Sequence, residues 1–192
     1  MPAFVEDKID DESRRDFSRN GPLSPRLLIV ILLYLVTDAG RRGYKHLLDE
    51  FWDECEDFGL ELPTEQAVSA AAFCKARKKL KPEVFRALLH EVVDGSQETH
   101  GPSYRWKGRT LLACDGSSIS LQRSASSQDE FGGSSTGHCP QAMLSTLFDV
   151  HAKMLVDLTI ARYAACERKE LLKMLDRVRP GDVLLLDRGY TS

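Results

Sequence analysis

Val183-Leu184-Leu185-Leu186-Asp187-Arg188-Gly189-Tyr190 is an apolar run that stops at a carboxylate, and Leu111-Leu112-Ala113-Cys114-Asp115-Gly116 does the same earlier in the chain. Runs of this length bounded by glycine read as buried strands. A strand that ends in Asp and then Gly carries its carboxylate to the rim of a sheet, where the backbone turns away. Two such rims in one chain point to two carboxylates, Asp115 and Asp187, converging on a metal ion.

The text between these runs decides whether they can meet. Thr110 to Cys114 reads as a strand that Ser118 to Leu121 continues after a bend, and Gln122 to Pro140 reads as a long Ser- and Gly-rich loop. Ala142 to Val150 and Met154 to Arg162 read as two strands joined by a tight turn at His151-Ala152-Lys153. Glu167 to Val178 has helical spacing with Leu171, Leu172 and Leu175 on one face, and Pro180-Gly181-Asp182 is a turn before the last strand. The order is strand, strand, strand, helix, strand. A right-handed crossover through the helix can lay the last strand parallel to an earlier one. If that neighbour is the first strand, Asp115 and Asp187 share one end of strands ~5 Å apart.

The first hundred residues have a different texture. Ser24-Pro25 opens a helix, with Ser at the cap and Pro at the first helical position. Leu27, Leu28, Ile31, Leu32 and Leu35 form its buried face, and Gly40 ends it. A second helix is expected from Tyr44 to Phe58, facing inward through Leu47, Leu48, Phe51 and Trp52 and stopped by Gly59. Thr64 is expected to cap a third, with Glu65 and Gln66 in its first turn and Val68, Ala71, Ala72, Ala76 and Leu80 following. Pro82 starts a fourth, through about Val93, with Val84, Phe85, Leu88, Leu89 and Val92 apolar. The expected division is a peripheral N-terminus (1–22), a helical bundle (23–95), a linker (96–103) in the Gly-, Ser- and Pro-containing text from Asp94 to Pro102, and a mixed domain (104–192).

Composition is that of a globular chain, with 42% apolar and 29% charged residues and a net charge of −3. The longest apolar stretch, Leu27 to Val36, is too short to span a bilayer. The acidic start, with Glu6, Asp7, Asp10, Asp11 and Glu12, is not a signal peptide. The five cysteines form no Cys-x-x-Cys pair, so reduced, buried thiols in a cytoplasmic protein are expected, and His138-Cys139 has no second half with which to make a zinc site. Charge is segregated. Asp49 to Glu61 is acidic; Lys75-Ala76-Arg77-Lys78-Lys79-Leu80-Lys81 and Arg105-Trp106-Lys107-Gly108-Arg109 are basic. Local patches of this kind govern nucleic-acid contact more than net charge does. On one helix, Lys75, Lys78 and Lys79 would share a face, with Arg77 and Lys81 beside it, suited either to DNA phosphates or to solvent and acidic neighbours.

Paired Asp side chains suit Mg²⁺ or Mn²⁺. Two such ions about 4 Å apart activate a water or hydroxyl and stabilise a departing phosphate oxygen. Asp-Gly and Asp-Arg-Gly are also ordinary turn text, so strand and spacing alone leave both readings open.

Asp115-Gly116-Ser117 after an apolar strand, then Pro180-Gly181-Asp182, then Asp187-Arg188-Gly189-Tyr190, resemble the DDE transposases of bacterial insertion sequences, in the IS-four group. Ala72-Phe73-Cys74-Lys75-Ala76-Arg77-Lys78-Lys79-Leu80 is similar to the helix that precedes the catalytic domain there, and Arg105-Trp106-Lys107-Gly108-Arg109 to the lead-in to the first Asp. The resemblance covers roughly Leu23 to the C-terminus. It implies an α+β or α/β chain: a helical DNA-binding bundle, then part of an RNase H-like domain. Asp115 and Asp187 would be the first two catalytic and metal-holding acids, with Mg²⁺ or Mn²⁺ as cofactor. Lys75, Arg77, Lys78, Lys79, Lys81, Arg105, Lys107, Arg109 and Arg188 would contact DNA. The partners would be transposon ends and target DNA, the assembly a homodimer, and the place the bacterial cytoplasm at the nucleoid.

The family's third acid is a Glu on a later helix in a Tyr–Arg–Glu–Lys signature, and residues 1–192 hold no such signature. A truncated, inactive transposase chain with an uncovered sheet edge and face is therefore expected. Glu167 precedes the second Asp and reads as a helix-start residue favoured by the dipole. Arg188 suits a substrate phosphate or a neighbouring carboxylate equally, Tyr190 suits a core or edge aromatic better than stacking on a base, and Trp106 suits packing between domains. Two other readings compete: a DNA-binding or regulatory remnant acting through the helical half, and an unrelated Mg²⁺-dependent phosphohydrolase. The latter would want an Asp-x-Asp nucleophile or a Gly-rich phosphate loop, and the chain has neither.

Overall fold

The computed structural model describes Phe17 and residues 21–37, 43–135 and 137–190, the side chains of Pro102 and Tyr104 excepted. The peripheral N-terminus and the helix stop at Gly40 lie outside these residues. The chain divides into two compact units, Met1–Phe85 and Arg86–Ser192. Among the described residues no helix is long and apolar enough to cross a membrane.

In the first unit, α1 (Pro25–Thr37), α2 (Tyr44–Asp57) and α3 (Ala70–Arg77) pack around Leu28, Ile31, Leu48, Phe51, Trp52 and Phe73. The Ser24 hydroxyl accepts from Leu27 N at 3.2 Å, which is the expected cap of α1. Helix α2 ends in paired reverse bonds, Leu60 N to Cys55 O at 2.8 Å and Gly59 N to Glu56 O at 2.9 Å, with Gly59 at φ +64°. That closure needs a left-handed residue, which is why glycine stands there.

Thr64 does not cap the third helix. Its carbonyl accepts the Trp52 indole N–H at 3.1 Å and its hydroxyl bonds Gln66 O at 2.9 Å. These bonds hold the segment in bends, and Ser69 caps α3 instead, accepting from Ala72 N. The helix stops at Arg77, so the expected continuous basic face is broken. Lys75 and Arg77 are helical, Lys78 is the cap, and Lys79 and Lys81 lie in the turn beyond.

The division between units falls inside α4 (Glu83–His100), and a 3₁₀ turn at Gly101–Tyr104 follows. The segment expected as a linker is thus helical. Gly95 and Ser96 weaken a helix only modestly, and Asp94 on the same helix forms a bidentate pair with Arg177, at 2.7 and 3.2 Å. Val92, expected inside, is 59% exposed, while Val93 is fully buried.

The second unit is built on a four-stranded mixed sheet in the order β3-β2-β1-β4: β1 (Leu111–Ser120), β2 (Gln141–Asp149), β3 (Met154–Arg162) and β4 (Val183–Leu185). The architecture is α+β. Strands β1, β2 and β3 form an antiparallel meander, and β4 runs parallel to β1 at its other side. Strand β1 is continuous through Asp115 and Gly116, where a strand end was expected; pairing with Thr146 and Ser145 of β2 carries it on to Ser120. The expected loop after it contains a helix, α5 (Ala125–Phe131), capped by the Ser124 hydroxyl accepting from Ser127 N. The helix expected to Val178 is α6 (Glu167–Leu172) followed by a 3₁₀ turn at Leu175–Arg177, and Leu172 and Leu175 face outward. Val93, Leu112, Cys114, Leu147, Val156, Leu171, Met174 and Tyr190 form the core on one face of the sheet. On the other face Phe148 and Ile160, and at the β4 edge Leu185, remain exposed.

Candidate active site

Leu112 and Cys114 are buried and Asp115 is exposed, so strand alternation puts the Asp115 carboxylate on the face away from the core. Leu111, Leu112 and Ala113 pair in parallel with Val183, Leu184 and Leu185. The pairing ends there; counted two residues further, the same register would set Asp187 opposite Asp115. Beyond Leu185 the β4 segment leaves the sheet, so β1 loses a neighbour at the level of Asp115. The rim exists on the β4 side only, because β2 still flanks Asp115 through Thr146.

Each carboxylate is held by its own backbone. Asp115 Oδ1 accepts from Gly116 N at 2.8 Å, and Asp187 Oδ1 accepts from Gly189 N at 2.9 Å. Both side chains are exposed, and for each the second oxygen has no protein donor among the described residues. The turn after Asp187 is a 3₁₀ turn, Arg188–Tyr190, and Tyr190 closes it by inserting into the core. The Tyr190 hydroxyl lies 3.7 Å from Cys114 Sγ. Burial raises the Tyr190 phenol well above its ordinary range, and burial likewise pushes the Cys114 thiol up.

This donor set fits a hard divalent cation. Mg²⁺ is ordinarily held by one or two carboxylates, with water and substrate phosphate oxygens in its other positions. Among the described residues no group of three or more His, Cys, Asp or Glu side chains is gathered to hold a metal without such help. Glu167, at the start of α6, comes closer than its helix-start reading implied: a Cβ at Gly116 would lie 2.7 Å from Glu167 Oε1. A side chain at Gly116 would displace the Glu167 carboxylate, a proximity that an Asp-Gly turn reading conceals.

The basic residues fall into separate places. In the first unit Lys75 and Lys78 are exposed, and Arg77 donates to the Tyr44 hydroxyl at 2.6 Å while lying over that ring. Lys79 sits over Phe17 at 5.4 Å. In the second unit Arg105, Lys107 and Arg109 surround a two-residue hairpin turn, and Trp106 is 42% exposed rather than packed away. Arg188 is exposed beside Asp187. Cys55 and Cys114 are buried as expected, whereas Cys139 and Cys166 are exposed, and all five thiols are free. In comparisons with protein-family models, curated proteins and solved structures, nothing matches this chain.

Proposed function

We propose that this chain carries the first two acids of a DDE transposase and acts on DNA by divalent-metal-dependent phosphoryl transfer. The observation that supports this reading best is the parallel register of β1 with β4, which, carried two residues past the end of β4, brings Asp187 to the level of Asp115 in the middle of β1. The sheet order β3-β2-β1-β4, with α6 between β3 and β4 and the last strand beside the first, agrees with the RNase H-like resemblance, and α5 is an insertion between β1 and β2.

Asp115 and Asp187 would hold Mg²⁺ or Mn²⁺, which supplies charge neutralisation at the phosphate and a more acidic water or hydroxyl. The protein's part is positioning. Gly116 N and Gly189 N orient the two carboxylates, and Tyr190 fixes the turn that carries the second one. Without the third acid of the family signature, residues 1–192 alone are expected to give no strand transfer.

The test separates metal-bridged DNA contact from plain charge attraction. Duplex affinity is measured in Mg²⁺ and again in EDTA. The wild type is expected to bind about tenfold tighter in Mg²⁺, or ~1.4 kcal/mol, and Asp115→Asn and Asp187→Asn to lose that increment. An increment of equal size in both variants contradicts the reading, whatever the neutral substitutions do to the affinity in EDTA.

A further inference from the structure

At the other end of the same two strands the second unit has a recess of about 430 Å³, lined in part by Arg105, Lys107, Arg109 and Arg179, with Asp149 and Asp182. That volume falls within the ~300–1,000 Å³ of ligand sites. The recess is framed by two turns. In the first, Trp106 and Arg109 exchange both backbone bonds, at 2.8 and 2.9 Å, around Lys107 and Gly108 at φ +48° and +78°. Two central residues at positive φ make the tight hairpin that matches strand twist. In the second turn, Gly181 stands at φ +95° and its carbonyl accepts from Arg109 Nη1 at 3.1 Å. That bond ties the lead-in of β1 to the lead-in of β4.

The charges in the recess are unbalanced. Four cations face two carboxylates, and both carboxylates are already engaged by backbone. Asp149 Oδ1 accepts from His151 N and Ala152 N at 3.0 and 2.9 Å, and Asp182 Oδ2 accepts from Arg179 N at 2.9 Å. Arg105 and Lys107 have no ion-pair partner among the described residues, Lys107 lies over the Trp106 ring, and Arg179 reaches Asp94 only at 3.5 Å. Cations held in a concave site without matched anions attract a multiply acidic ligand.

We propose that this recess takes a backbone phosphate of a DNA strand whose neighbouring segment lies at Asp115 and Asp187. The proposal rests on the nucleic-acid reading above and adds a second contact, with Arg179 as a new member. Thr110 and Asp182 precede β1 and β4, and Asp115 and Asp187 each lie five residues on. Five strand residues span roughly 16 Å, which is about five base pairs along a duplex.

The full chain would be titrated with duplex DNA in EDTA over about 50 to 200 mM salt. In EDTA no metal bridges the carboxylates, so this experiment can fail while the Mg²⁺ increment survives, and the reverse. Arg105→Gln with Arg179→Gln is expected to weaken binding about tenfold at the low-salt end and to reduce the slope of log affinity against log salt by about 1, the share of one phosphate. Arg123→Gln with Arg162→Gln, an exposed pair outside the recess, is expected to leave the slope within about 0.5 of wild type. An unchanged slope in the recess variant, or an equal fall in the control, overturns the proposal. So does protection of the wild type but not the recess variant by pyrophosphate, with DNA slopes alike, because the recess would then serve a free anion.

Discussion

Arg86→Ala is expected to lower the unfolding free energy of the second unit by about 3 kcal/mol, the low end for breaking a buried ion pair. The reason lies in Asp157, on the core face of β3 with its side chain 1% exposed. Arg86 grips both of its oxygens, at 2.8 and 2.6 Å, and His90 Nε2 lies 2.9 Å from Oδ1. The Leu158 N–H adds a further bond at 2.9 Å. Arg86 itself is 39% exposed, so its own desolvation cost is small and the loss falls on the stranded carboxylate. Arg86→Lys keeps a charge but not the planar fork, and is expected to recover only part of the loss.

The pH dependence has a defined sign. Burial pushes the Asp157 carboxyl upward, but Arg86, His90 and the Leu158 amide outweigh it and hold the group below its ordinary range. A depressed carboxylate contributes stability that is present above the unfolded value, near pH 4, and fades as pH falls through the folded value. In Arg86→Ala the burial effect is less opposed, so that contribution shrinks. The gap between wild type and variant should therefore be widest at neutral pH and narrow below about pH 4. Urea denaturation at pH 7 and pH 3.5 measures both gaps, and a gap that grows in acid contradicts the assignment.

Tyr190→Ala is the second large effect. The ring is 9% exposed and packs into the core with Leu112, Cys114, Leu147 and Met174, three residues after Asp187. Truncating a buried aromatic costs about 3–5 kcal/mol, and about 3 is expected here because the residue ends a short turn that can partly collapse. Tyr190→Phe removes only the hydroxyl contact with Cys114 Sγ at 3.7 Å and should cost under about 1 kcal/mol. The functional consequence divides the same way. The turn through Gly189 orients Asp187, so Tyr190→Ala should weaken metal binding while Tyr190→Phe preserves it. Equal metal affinity in all three proteins would mean that the core does not position Asp187. In alkali, the burial-raised phenol contributes stability that is present below its unfolded value near pH 10 and lost above it. Tyr190→Phe removes that loss.

Strand text was the most legible part of this chain. Met154–Arg162 and the turn before it were readable from alternation and from a short polar break, whereas element order allowed a parallel last strand without fixing β1 as its neighbour. Helix ends were less legible, because long-range bonds decide them. Thr64 carries good cap chemistry, yet its carbonyl is taken by Trp52, twelve residues away. The Gly-Ser text at the expected linker did not stop α4, which is tied through Asp94 to Arg177. Leucine spacing overran α6, where Met174 rather than Leu172 or Leu175 fills the core.

The candidate site divides similarly. A shared level for Asp115 and Asp187 was readable only on the condition that the last strand lies beside the first, and the parallel pairing of β4 with β1 meets that condition. That β1 runs on past Asp115 was not readable, because Asp-Gly-Ser reads as a turn whether or not a second strand pairs with it. The approach of Glu167 to Gly116 and the meeting of Arg105 with Arg179 around one recess depend on the crossover and on the parallel pairing. No local pattern encodes either.

If Asp115 and Asp187 form one divalent-metal half-site, the ion needs both carboxylates. Calorimetric titration of the full chain with Mn²⁺, without DNA, tests this most directly, using the wild type, Asp115→Ala and Asp187→Ala. Weak binding by the wild type that disappears in both variants is the predicted result. Binding that persists unchanged in either variant, or no binding by the wild type, would mean that the two carboxylates do not act together.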